Sequence, residues 1–72
     1  MKRYRIKDLQ GLLQALGVGN LHQGSHVIVT TAEGNSECSI GVPAMGDMAM
    51  LILEDPGVAW REFGIKEIVY FL

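Results

Sequence analysis

The residues best equipped for chemistry in this chain are His22, His26 and Cys38, its only histidines and its only cysteine. A spacing of four would set both imidazoles on one helix face, and with the thiolate they would supply three zinc ligands. The intervening Gln23-Gly24-Ser25 opposes a helix, and structural zinc takes four ligands, commonly in tight pairs. No metal site is therefore expected, and the two histidines read as polar residues of a loop and a strand start. Cys38 would act as a nucleophile only beside a base that stabilises its thiolate. It shares the phase of Ile40 and Val42, which puts it on the apolar face of a strand, so a buried, inert thiol is expected.

Other catalytic signatures fail at particular positions. Gly17-Val18-Gly19 begins like a dinucleotide loop, but His22 stands where the third glycine belongs, and a helix rather than a strand precedes it. No Walker-type lysine is present, and Ser25, Ser36 and Ser39 sit in no nucleophile-elbow pattern. The carboxylates Glu33, Glu37, Asp47, Glu54, Asp55, Glu62 and Glu67 are scattered over expected turns and polar faces. No catalytic residue, cofactor or metal ligand is assigned, and the chain is expected not to be an enzyme.

Binding residues are easier to nominate. Three of the four methionines crowd residues 45–50, and methionine adapts to irregular partners. Met48 and Met50 fit core positions, which leaves Met45, at a turn, as the exposed candidate. Trp60 and Arg61 are of the types enriched at binding hot spots, although Trp60 serves equally well as a core anchor. Phe71 belongs to the run Ile68-Val69-Tyr70-Phe71-Leu72, a strand apolar on both faces that is comfortable only if both are covered. Met45, Trp60, Arg61 and Phe71 are thus the expected partner-binding residues. Self-association through a sheet edge or face, as a two-fold homodimer, is the simplest way to cover the strand.

Charge supplies the competing expectation. The net charge is −2, yet residues 1–8 hold Lys2, Arg3, Arg5 and Lys7 against Asp8 alone, and residues 9–72 hold two basic side chains against seven acidic ones. A basic N-terminal arm made of those four residues would give weak, salt-sensitive attraction to nucleic acid. A nucleic-acid binder normally shows a basic stripe over a whole face, so this function ranks second.

The elements that must position these residues follow from period and punctuation. Leu9, Leu12, Leu13 and Leu16 fall at i, i+3, i+4 and i+7 and predict a buried helical stripe, with Asp8 as N-cap and Gly17 as a left-handed end. Tyr4 and Ile6 alternate with Arg3, Arg5 and Lys7, as in a short leading strand. His26–Thr31 is rich in β-branched residues, Glu33-Gly34-Asn35 supplies a turn, and Cys38, Ile40 and Val42 alternate after it, which together predict a hairpin. Met48–Leu53 reads as a central strand. Asp55-Pro56-Gly57 stops it, a short helix follows over 58–63 up to Gly64, and residues 65–72 close the chain as a strand.

The predicted fold is a single α+β domain over residues 1–72. It has one four- to five-stranded, mostly antiparallel sheet packed against an N-terminal helix, with a second short helix. At 72 residues, 49% of them hydrophobic and 19% charged, the chain is too apolar for a disordered tail. It is also expected to be too small for a deep pocket of several hundred cubic ångströms. Its longest apolar run, Met48–Leu53, is far short of the ~20 residues of a membrane span. No apolar segment of the kind found in secretory signals follows the basic N-terminal residues, and a lone cysteine suits a reducing compartment, so the cytoplasm is expected. The outline over about residues 5–54, a short leucine helix, Val27-Ile28-Val29, a glycine turn and an alternating strand, resembles many small phage-, plasmid- and bacteria-encoded α+β proteins. That resemblance is one of pattern and implies no site and no activity. The expected function is that of a non-enzymatic interaction domain, a small accessory or inhibitor protein docking on a macromolecular partner.

Overall fold

Alternation at the start of the chain makes β1 (Arg3–Ile6), the first of four strands in a fold described for residues 1–72 by a computed structural model. The capping signal at Asp8 is used. Its carboxylate accepts a hydrogen bond from the Gly11 amide at 2.8 Å and opens α1 (Leu9–Gly17). Strands β2 (His26–Thr31) and β3 (Gly34–Ser39) then form a hairpin whose two-residue loop is Ala32-Glu33, so the turn sits one residue earlier than expected. A 3-10 turn over Pro43–Met45 leads into α2 (Asp47–Glu54) and α3 (Pro56–Glu62). Asp55 caps α3 by accepting from the Val58 amide, Pro56 occupies its first turn, and Gly64 follows it at φ +59. The last strand is β4 (Glu67–Phe71).

The sheet order is β1-β4-β2-β3, with every neighbouring pair antiparallel. Since β1 and β2 both run against β4, they are parallel to each other, and α1 makes the crossover between them. The chain's last strand fills the gap they leave, which is why it is apolar on both sides. Pairing sets Tyr4 and Ile6 opposite Tyr70 and Ile68, and Tyr70 and Ile68 opposite Val27 and Val29. These side chains share one face. The core forms there, with Leu12 and Ala15 of α1, Ala49 and Ile52 of α2, Ala59 of α3, and Leu21, Cys38, Ile40 and Ile65.

Four further expectations about the elements are corrected. Met48–Leu53 is the helix α2 and not a strand. A short apolar run has no period of its own to distinguish the two, and this one holds a single β-branched residue among Met, Ala and Leu, all good helix formers. Within α1 the buried positions are Leu12 and Ala15, with Leu9 and Leu16 packed beside them, while Leu13 is 48% exposed. The stripe is therefore rotated away from Leu13, because the sheet lies against the Leu12–Ala15 side. Gly17 remains inside the helix, and the left-handed residue is Gly19, at φ +82. Finally, β3 ends at Ser39. Ile40 is still core, but Gly41 turns the chain at φ +71, a conformation that disfavours any side chain, and a Cβ there would make Leu53 shift.

Candidate functional site

All three helices pack on one face of the sheet, so the other is built from the remaining residues of each strand. Strand alternation and the pairing register order them in rows. The middle row runs Arg5, Val69, Ile28, Glu37 across the four strands. Arg3 stands opposite Phe71, and His26 opposite Ser39, in the row above. Glu67, Thr30 and Asn35 make the row below. Ile28, Val69 and Phe71 are half-buried and belong neither to the core nor to the residues packed against it. They form an apolar strip on an uncovered sheet face, with arginines along β1 and Glu37 on β3.

Polar contacts hold the surround. Arg5 Nε donates to Glu67 Oε1 at 2.8 Å, Thr30 Oγ1 donates to Asn35 Oδ1 at 2.8 Å, and His26 Nε2 lies 3.7 Å from Glu37 Oε1. The basic N-terminal residues are thus ordered rather than a loose arm. Arg5 is engaged by Glu67, and the Lys2 ammonium sits 5.7 Å from the Tyr4 ring centre. Arg3 and Arg5 lie on the open face, and Lys7 follows the strand.

A cleft of about 330 Å³ lies at one end of the sheet, formed by residues 20–26 and the chain's two ends. The β2–β4 pairing begins at Val27–Tyr70, and His26 and Phe71, one residue beyond it, both line the opening. The neighbouring turn is firmly held. Leu21 is buried, its amide donates to the Ala15 carbonyl, and the Ser25 hydroxyl accepts from the His22 amide at 3.0 Å. Tyr70, only 6% exposed, stacks on Tyr4 with ring centres 5.2 Å apart and also lines this cleft. A second, shallower cleft of about 390 Å³ contains Glu33, Met45, Asp47 and Phe63. Both clefts are open to solvent at the surface and neither is a deep, enclosed pocket.

The nominated residues do not converge. Met45 is 48% exposed and borders the second cleft, while Trp60 is half-buried against the core and Arg61 exposed beside it on α3. Phe71 is on the opposite side of the sheet from α3. Cys38 is buried on the core face opposite Val27, whereas His26 points from the other face, so the imagined zinc trio is not assembled. Burial pushes the Cys38 thiol pKa up. Ile28 and Val69 are functional candidates that the sequence expectations do not include, although a signal for them exists: in Val27-Ile28-Val29 and Ile68-Val69-Tyr70 both phases are apolar. Nothing local in the sequence marks the cleft, whose walls come from opposite ends of the chain.

Compared with protein-family models, curated proteins and solved structures, the chain matches none. No helix is long and apolar enough to cross a membrane.

Proposed function

We propose that the chain is a non-enzymatic protein-interaction domain, of the accessory or inhibitor type found among small phage and mobile-element proteins, that docks through the open face of its sheet. One observation carries this: the helices cover a single face, and the strip Ile28, Val69, Phe71 lies on the other. An antiparallel sheet can leave one face in water, and an apolar strip on that face is a surface available to a partner. The buried, unpaired Cys38 thiol favours a reducing compartment such as the cytoplasm. Nucleic-acid binding gains little support, because Arg5 and Lys2 are already engaged within the chain.

The partner that the face fits best is a second copy. A two-fold axis parallel to the strands would lay β1 of one copy over β3 of the other. The middle row then meets itself reversed, with Ile28 and Val69 on Val69 and Ile28, and Arg5 facing Glu37. An axis across the strands would instead stack arginine on arginine. Four strands spaced ~4.8 Å apart give a face of roughly 300–500 Å² per copy, below the ~800 Å² of a standard interface. Association should therefore be weak and concentration-dependent. Sedimentation equilibrium tests it: the mass should rise from 7.9 kDa towards twice that value with concentration, and Val69→Asp should hold it at the monomer. A clean 7.9 kDa species throughout would overturn the dimer. Docking on another protein would then need a partner whose binding Val69→Asp abolishes.

A further inference from the structure

We propose that the cleft at the end of the sheet binds a small, neutral, planar heteroaromatic molecule. Its walls carry four rings, those of His22, His26, Tyr70 and Phe71, with the polar groups of Asn20 and Ser25 among them. No Lys, Arg, Asp or Glu side chain lines it. The formal charges at the cleft, the Met1 ammonium and the Leu72 carboxylate, are exposed and opposite in sign, so an ion would lose water without gaining a net counter-charge, whereas a flat ring system stacks on aromatic walls at little cost. At about 330 Å³ the space sits at the lower end of small-molecule sites, enough for one or two fused rings.

The second observation is Tyr70. Its residue is more than nine-tenths buried, yet its hydroxyl has no protein hydrogen-bond partner, and no side-chain oxygen is sealed from solvent without one. The hydroxyl therefore keeps solvent access, and Tyr70 is among the residues that line the cleft. A buried tyrosine normally satisfies its hydroxyl within the protein. Here the hydroxyl is open to water, and a ligand in the cleft that reaches it takes the water's place. Ser25 is a second free donor, because its oxygen accepts from the His22 amide and leaves its proton unused. A ligand edge with both acceptors and donors, such as heteroaromatic rings carry, meets these groups. The site is preformed, since the Leu21 anchor and the Gly24–Ile40 and Ile40–Ser25 backbone bonds fix its wall.

The test is a titration of the ¹⁵N-labelled protein with indole, nicotinamide and adenine, with cyclohexanol as the non-planar control. At least one planar probe should give saturable shifts at Leu21, Ser25, His26 and Phe71, with a Kd of about 10⁻⁴ M, and cyclohexanol should bind at least about tenfold more weakly. Tyr70→Phe keeps the ring and removes the hydroxyl, and should weaken binding about fivefold, the worth of one hydrogen bond. His22→Ala changes only an exposed ring and should weaken binding severalfold, so it carries the test if Tyr70→Phe does not fold. Absence of saturable shifts with all three probes would overturn the assignment. So would shifts centred on Ile28 and Val69, equal binding of cyclohexanol, or unchanged affinity in the folded variants.

Discussion

Ile28 and Val69 stand directly opposite each other in the β2–β4 pairing, both half-buried, on the side of the sheet that no helix covers. If that pair is the centre of a two-fold contact, association and stability are linked by mass action. The melting temperature of the wild type should therefore climb with protein concentration, while that of Val69→Asp should stay constant. A concentration-independent wild-type transition would separate the face from self-association.

Helix α1 makes a contrast between two neighbouring leucines. Leu12 has no exposed surface and Leu13 is 48% exposed. Leu12→Ala should cost about 2–5 kcal/mol, a large share of the stability of so small a domain, and Leu13→Ala less than about 1 kcal/mol. Urea unfolding of the two variants checks both values; equal losses would contradict the orientation of the helix.

Gly41 should accept a side chain only at a cost. It is buried at φ +71, and a Cβ there would come within 2.5 Å of Leu53 Cδ2. Strain and overlap together predict a loss of about 2–4 kcal/mol for Gly41→Ala, with Gly34→Ala, where a Cβ meets nothing within 4 Å, losing less. The same urea series would show it.

Cys38 should react slowly with a thiol reagent in the native state and rapidly in denaturant, because the thiol is buried and held neutral. The sign of the pH effect follows. Its folded pKa lies above the unfolded one, so above the ordinary thiol value the unfolded chain releases its proton first. The stability contributed by the neutral thiol is present in full below that value and is lost as pH rises through the folded pKa. Cys38→Ala should lie below the wild type at neutral pH and lose less on the alkaline side. Parallel curves for the two proteins would contradict this.

Much of this architecture is written locally. Asp8 before a leucine period, the β-branched run at residues 26–31 and the Asp55-Pro56 start signal each act through contacts a few residues away. They determined a leading strand, the first helix, a hairpin, a short helix and a closing strand. The phase of Cys38 likewise settled its burial. Met48–Leu53 was decided only in three dimensions. Its residues are apolar in either conformation, and with β4 between β1 and β2 the four-stranded sheet has no place for it, so the segment lies over the core as a helix. The exposure of Leu13 was decided in the same way, by the side from which the sheet meets α1. The open face and the cleft belong wholly to tertiary structure, because Arg5 and Glu37 share a row, and His22 and Tyr70 a cavity, only after strands from opposite ends of the chain have paired. A sequence states which side chains each strand offers to its two faces; which face the helices cover depends on how the crossover packs, and that is a property of the assembled core.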